Sequence, residues 1–460
     1  VSARIQRLPY REDSAALFAC VRDLPWPVFI DSARPMLTQG RYDIIAAAPY
    51  RTLTSRGPIT EIQHAGMLAR SKQDPFELIR SCLSLDTPRQ AAELPFAGGA
   101  IGYFGYDLAR RIERLPNLAV AEDSMPELAV GLYDWALVVD HATHSAWLVA
   151  EGRDPQTDRI WDSLVQRFAE PAPIPLQSFR LATPVHAYWN WADYLARFQR
   201  IQSYILEGDC YQVNLAQCFQ AAVKGDPWSA YLRLRKINPA PFSAYLETPY
   251  GSVLSSSPER FLRLQGRQVQ TCPIKGTALR YADPAMDRRS AEQLAASSKD
   301  RAENLMIVDL LRNDLGKVCE TGSVAVSRLF EIQHFARVHH MVSSIEGRLA
   351  TGEDALSLLR ACFPGGSITG APKLRAMQII EELEGRRRGV YCGAIGYIGS
   401  DGGMDTNIAI RTLVVQHNRL RFWTGGAIVY DSDVEAEYQE SLAKAAAIFD
   451  MLDAASPHIS

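Results

Sequence analysis

The apolar residues of this chain fall in short runs, grouped several at a time between turn residues, and that grouping limits the fold more than any other feature. Val28 to Ile30, Ile44 to Ala48 and Trp135 to Val139 read as strands in the first part of the chain. Tyr211 to Leu215, Phe242 to Leu246, Ser252 to Ser256 and Phe261 to Leu264 follow, then Gly393 to Tyr397, Ile408 to Val415 and Arg421 to Trp423. Strands alternating strictly with helices would build a parallel sheet. Strands grouped this way predict α+β architecture with antiparallel sheets and flanking helices. One helix is legible across Asp193 to Glu207, where Leu195, Phe198, Ile201, Tyr204 and Ile205 recur at helical spacing and Gly208 supplies the stop. Gly98 to Tyr106, rich in glycine and aromatics, reads as close backbone packing at a sheet edge rather than as a ligand loop.

With 460 residues, 47% of them hydrophobic, the chain can bury several domains' worth of core. Pro171, Pro173, Pro175 and Pro184 interrupt all periodicity, which suggests an N-terminal region 1–170, a proline-rich connection 171–187 and a C-terminal region 188–455. The 49 basic and 52 acidic side chains leave no net field, so neither nucleic acid nor an anionic membrane is the expected partner. No apolar run approaches the ~20 residues that span a bilayer, and Val1 to Tyr10 lacks the core of a signal peptide. Eight scattered cysteines without metal spacing read as reduced thiols, so a cytoplasmic setting is expected.

Four constellations carry candidate chemistry. Ser257-Pro258-Glu259-Arg260-Phe261 reads as a turn between strands, and taken alone it describes a surface glutamate paired with Arg260. Pro273-Ile274-Lys275-Gly276-Thr277 holds a lysine before a glycine turn. Most lysines are solvated charges, but one desolvated in a pocket loses basicity and becomes a nucleophile or base. Asp300 and Glu303 lie three apart in one helical stretch, Glu437 and Glu440 in another. Each pair shares a helix face, so two carboxylates can meet one hard cation, best Mg2+, although a wet helix face is the plainer reading of either pair alone. The glycine-rich turns Pro364 to Lys373 and Thr424-Gly425-Gly426-Ala427 offer backbone amides to a carboxylate or phosphate. The first lacks the G-x-x-x-x-G-K-[S/T] spacing, which argues against ATP.

Seven ordered segments resemble the motifs of the chorismate-utilising enzymes: Gly208 to Asn214, Ser257 to Arg260, Pro273 to Thr277, Asp300 to Met306, Asp309 to Gly316, Phe363 to Lys373 and Gly425 to Lys444. That family includes enzymes that form anthranilate, aminodeoxychorismate, isochorismate and salicylate. The resemblance covers Asp193 to Ala447 and runs more weakly into the first half. It implies large antiparallel β-sheets packed as a sandwich with helices on the outside. The chorismate-binding catalytic region would be 188–455, with 1–170 resembling the N-terminal region of anthranilate synthase component I.

Two positions decide the branch that the resemblance implies. Isochorismate and salicylate formers carry a water-activating lysine where this chain has Gln212, so ammonia is the implied donor. Anthranilate formers typically carry a small residue where this chain has Lys275, and aminodeoxychorismate formers carry lysine. The resemblance thus implies a Mg2+-dependent transferase that aminates chorismate to 4-amino-4-deoxychorismate, toward 4-aminobenzoate and folate, with anthranilate formation as the alternative. Lys275 would add at C2 as the C4 hydroxyl leaves, protonated by Glu259, and ammonia would then displace the lysine by adding at C4.

By the same matching, Glu303 and Glu440 would hold Mg2+ directly, with Asp300 and Glu437 nearby. Gln212, Thr277, Thr369, Tyr391, Arg411, Gly425, Gly426 and Lys444 match substrate-holding positions. His340 matches a histidine beside the substrate ring, a satisfied core histidine being the competing account. Asp309, Arg312, Asn313 and Asp314 read as a structural charge network. Ser32, with Pro239 and Phe242, falls near the position where anthranilate synthases bind tryptophan. No cysteine sits in a nucleophile elbow, so nitrogen is expected from a separate glutamine amidotransferase subunit.

Overall fold

The strand Trp135–Asp140 is buried at every residue, yet a strand sends alternate side chains to opposite faces, so both of its faces must be covered. Ala136 and Val138 pack in a cluster with Ile101, Tyr103, Ala129 and Ile395. Leu137 and Val139 pack instead with Phe18, Trp161, Leu164 and Phe168. The first group belongs to a second sheet stacked on the first, and the second group to helices Ala15–Ala19 and Pro155–Ala169 on the outside. The alternation thus builds a helix, sheet, sheet order, as expected for a sandwich.

The computed structural model describes residues 3–34, 40–83, 94–171, 177–335 and 338–454. Pro173 and Pro175 of the proline-rich connection lie outside the described residues. Among the described residues there is a 13-stranded sheet and a 12-stranded sheet. Each draws strands from both sides of 171–187. Val28–Asp31 pairs antiparallel with Phe242–Thr248 in the first sheet, and Gly99–Phe104 with Ala394–Gly399 in the second. No helix of the described residues is long and apolar enough to cross a membrane.

Three readings change. Gly99–Phe104 lies between Ala394–Gly399 and Leu128–Tyr133, inside a sheet and not at its edge. Its glycines do serve close packing, since a Cβ on Gly102 would stand 2.1 Å from the Ala129 carbonyl oxygen. Thr424 to Ala427 is no turn but the middle of the strand Arg419–Ile428, paired along its length with Gln212–Gly225. The run Ile408 to Val415 divides: Met404–Ile408 belongs to the second sheet and Thr412–Gln416 to the first. Apolar patterning records burial, and a chain that passes from one buried sheet to another stays apolar throughout.

The helix Lys373–Glu384 ends at Gly385, whose φ of +66° suits glycine. Beyond it, Arg388 is 1% exposed and donates through Nε and Nη2 to Glu384 at 2.9 and 2.6 Å. The same guanidinium donates to the carbonyls of Ile368 at 2.8 Å and Asn214 at 2.9 Å, while Glu384 accepts from the Ala216 amide at 2.8 Å. Removing one partner of a buried ion pair strands the other charge. Arg388→Met should therefore cost about 3–5 kcal/mol, read as a lowered urea midpoint; a loss below about 1 kcal/mol would show that this pair does not anchor the fold.

Candidate active site

Two stretches pass between the sheets side by side. Gly251–Ser257 of the first sheet continues through Pro258 and Glu259 into Arg260–Gln265 of the second. Met404–Ile408 of the second sheet returns through Ile410 and Arg411 to Thr412–Gln416 of the first. The crossings are tied together: Ser257 Oγ donates to the Ile408 carbonyl at 2.6 Å, and the Ile408 amide to the Glu259 carbonyl at 3.1 Å. Arg411 holds φ at +50°, a strained value for a side chain of its size. Glu259 and Arg411 consequently face one cavity of about 640 Å³.

Glu259 is no surface residue. It is 5% exposed, and the expected partner Arg260 pairs with Asp405 instead, at 3.1 Å. Burial raises the Glu259 pKa to about 7, against the opposing hydrogen bond from Ser367 and the charge of Lys275. Ser367 Oγ donates to Glu259 Oε1 at 2.7 Å. Arg411 is pushed down to about 10 by burial, with Glu259 favouring its charge.

Lys275 and Thr277 sit on the strand Ile274–Leu279, with Gly276 in a bulge between them at φ +74°. The positive φ favours glycine in the bulge, and a Cβ there would also press on the side chains of Leu294 at 2.9 Å and Asp300 at 3.0 Å. Burial pushes the Lys275 ammonium pKa down, against Glu303, which favours the charged form. His340, on the paired strand, has Nδ1 3.1 Å from Thr277 Oγ1, while its Nε2 is buried without a partner. Burial and the positive Arg411 hold it at about 3, so the ring is neutral at ordinary pH. A satisfied core histidine would not leave Nε2 bare.

The two carboxylate pairs arrive on two helices. Ser298–Gly316 is capped by Ser297, which accepts from the Asp300 amide, and Val434–Met451 by Asp433, which accepts from the Ala436 amide. Asp300, Glu303, Glu437 and Glu440 all line the cavity. Burial raises the Glu303 pKa, opposed by Lys275 and Lys299 and reinforced by Glu437 and Glu440. Glu437 pairs with Lys299 at 3.2 Å and Glu440 with Lys444 at 2.8 Å. Among the described residues no three such side chains converge into an ion cage. The donors are nonetheless all carboxylate, the type a hard divalent cation takes, and Glu437 and Glu440 add to the burial that raises Glu303.

Tyr391, Gly425 and Lys444 also line the cavity. Gln212, Thr369 and Gly426 do not. Thr369 spends its hydroxyl on the carbonyls of Gly365 and Gly366, at 3.1 and 3.3 Å. Gln212 is fully buried with both amide atoms unpartnered among the described residues, and a Cβ on Gly426 would meet two residues of the cavity, Glu437 at 3.3 Å and Lys444 at 3.7 Å. Of the expected charge network, Asp314 is buried between Lys317 at 2.8 Å and Lys373 at 2.5 Å, whereas Asp309 and Arg312 form an exposed pair. Ser32 and Phe242 line a separate cavity of about 860 Å³, and Pro239 is not among its lining residues. Ser32 there donates to Asp43 at 2.7 Å through both its amide and its hydroxyl. Sequence reasoning missed Ser367, Lys299, Asn214 and Trp423, all of which line the same cavity as Glu259 and Lys275. Ser367 and Asn214 lie inside motifs already singled out, but their partners are tertiary.

A family profile described as chorismate binding enzyme matches residues 37–450. Aminodeoxychorismate synthase component 1 of Klebsiella aerogenes is 46% identical over 97% of this chain and 98% of its own length. Anthranilate synthase component 1 of Streptomyces coelicolor is 40% identical over 82% of this chain and 76% of its own. The crystal structure of anthranilate synthase component I from Streptococcus pneumoniae TIGR4 superposes with a TM-score of 0.78 at 30% identity, covering 90% of this chain and 93% of that one.

The Glu259 carboxyl holds a proton when folded, between its ordinary 4.5 and about 7, that the unfolded chain releases. Its contribution to stability therefore falls as pH rises through that window and is constant above it. Measured against Glu259→Gln, the native chain should lose on the order of 3 kcal/mol by about pH 8. A pH-independent difference between the two would mean that the carboxyl is ionised throughout.

Proposed function

This chain belongs to the chorismate-binding enzymes, and from that membership we propose that it forms 4-amino-4-deoxychorismate from chorismate and ammonia, as component 1 of a two-component synthase. The observation that carries the reading is Lys275 and Glu259 in one cavity, a lysine whose pKa burial lowers beside a carboxyl whose pKa burial raises. A neutral amine and a protonated acid are the pair that this amination needs.

Lys275 Nζ bonds to C2 of chorismate while the ring double bonds shift and the C4–O bond breaks. The Glu259 proton goes to the departing hydroxyl, which leaves as water. Ammonia then bonds to C4, the double bonds shift back and the C2–N bond breaks, which frees Lys275. The surplus proton on nitrogen returns to Glu259, so chorismate and ammonia become aminodeoxychorismate and water. Ser367, donating to Glu259 Oε1, orients the carboxyl in the cavity. Arg411 and Lys444 suit the substrate's carboxylates. Bound Mg2+, held by Glu303 and Glu440 with Asp300 and Glu437 nearby, would neutralise the ring carboxylate.

The partner is a separate glutamine amidotransferase, in keeping with the "component 1" in the relative's name. Eight free cysteines suit the reducing cytoplasm. The 860 Å³ cavity at Ser32 and Phe242 is the place for a tryptophan-like effector, without Pro239.

Incubated with chorismate, Mg2+ and ammonium, the chain should yield aminodeoxychorismate, identified by chromatography and mass. Lys275→Ala should lose it or shift toward anthranilate. Anthranilate from the native chain would transfer the assignment to the tryptophan branch. With the native chain, the rate should also fall as pH rises through about 7, where Glu259 loses its proton; a rate flat across that range would remove Glu259 as the acid. Chelation should stop turnover and Mg2+ restore it, and turnover that survives thorough chelation would remove the metal from the reading.

A further inference from the structure

Lys299 lines the catalytic cavity, yet neither the covalent chemistry nor the substrate contacts proposed above use it. It stands between Ser298 and Asp300 in the first turn of the helix Ser298–Gly316. A lysine is unfavourable there, because the first turn of a helix carries positive partial charge and unpaired amides. The charge is matched across the cavity rather than along the helix. Lys299 Nζ donates to Glu437 Oε1 at 3.2 Å, and Glu437 belongs to the first turn of the other helix, Val434–Met451. Ser432, just ahead of that second helix, donates to the same Oε1 at 2.7 Å. The other oxygen, Oε2, faces Gly426, where a Cβ would stand 3.3 Å away. Among the described residues, the Lys299–Glu437 pair is the single hydrogen bond or ion pair between the two helices that bring the carboxylates.

We propose that Lys299 is a positioning residue for the divalent cation: it ties the two carboxylate-bearing helices together and fixes the direction of Glu437, without touching substrate or metal. The inference rests on the function proposed above and adds a residue which that reading leaves without a role. Asp300 and Glu303 reach the cavity from one helix, Glu437 and Glu440 from the other. Like charges brought together in this way push the two helix ends apart, and a lysine of one helix bound to a glutamate of the other opposes that push. Lys444 cannot supply the tie, since its partner Glu440, at 2.8 Å, is one turn away on the same helix. A carboxylate with one oxygen held by two donors presents the other in a set direction, which is the support that metal-binding carboxylates draw from their hydrogen-bonded partners. Two effects of the ammonium oppose each other, its repulsion of a cation and its hold on Glu437. The Lys299 side chain is 43% exposed, so water screens the repulsion, whereas Glu437 is 4% exposed and has little access to water that could replace a lost donor. The hold on Glu437 is therefore the larger effect.

Lys299→Met removes the ammonium and keeps most of the stem. Titrated calorimetrically with Mg2+ in the absence of chorismate and ammonia, this variant should bind the ion roughly tenfold more weakly than the native chain. Lys299→Arg, which still reaches Glu437 with a charged donor, should restore most of that affinity. Removing a bystander cation from an anionic site would instead tighten Mg2+ binding, so the sign of the change decides between the two accounts. Equal or tighter binding by Lys299→Met would overturn the positioning role while leaving the metal in place. A loss that Lys299→Arg fails to restore would also overturn it, by assigning the effect to packing of the lysine stem. A native chain that takes up no Mg2+ would remove the metal from the proposed function and this role with it. The titration forms no product, so anthranilate from the turnover assay would defeat the proposed function and leave the binding result standing.

Discussion

The buried Arg388–Glu384 pair holds together the parts that make the site. A charge pair removed from water is repaid only when its remaining donors and acceptors are also met, and here they are met by backbone. Asn214 and Ala216 of the long strand Gln212–Gly225 are clasped by the two partners, and so is Ile368, next to Ser367. Ser367 in turn holds Glu259. The guanidinium also lies over the rings of Tyr106 at 4.8 Å and Tyr391 at 6.0 Å. One ion pair therefore connects the floor of the cavity, its acid and the aromatic Tyr391 in its wall.

The cavity's chemistry comes from balanced opposites held out of water. Lys275, Lys299 and Lys444 alternate with Glu303, Glu437 and Glu440 across two helices and a strand, and Glu259 and Arg411 face each other's charge at the crossings. Burial moves Glu303 up and Lys275 down, whereas Lys299 is held up by Glu437 against burial and Glu440 is held down by Lys444. The neutral His340 completes the set, with Thr277 holding one nitrogen and leaving the other bare.

Local pattern carried a good deal of this. The helical spacing of Asp300 with Glu303 and Glu437 with Glu440 was legible, because three residues along a helix always share a face. The strands were legible from their apolar runs, and Gly208 does close its helix at φ +82°. What stayed hidden depends on contacts between distant residues. Glu259 read as exposed because a Ser-Pro turn normally is, and only the crossing between sheets buries it. Thr424 to Ala427 read as a turn because two glycines suggest one, yet they let a neighbouring strand approach: a Cβ on Gly425 would lie 2.2 Å from the Leu215 carbonyl oxygen. Thr369 stands inside a motif full of site residues but turns its hydroxyl to the loop that carries it.

The interlacing of the two sheets also bears on synthesis at the ribosome. Val28–Asp31 must wait for Phe242–Thr248, and Gly99–Phe104 for Ala394–Gly399, before either has its second neighbour. The early strands leave the ribosome with unpaired edges and apolar faces, and contacts so distant in sequence are slow to form. Nascent chains of this topology accordingly have no finished N-terminal half to protect them. Their open edges and apolar faces stay uncovered until nearly the whole polypeptide has emerged, and a truncation near the proline-rich connection would leave them without the strands that cover them.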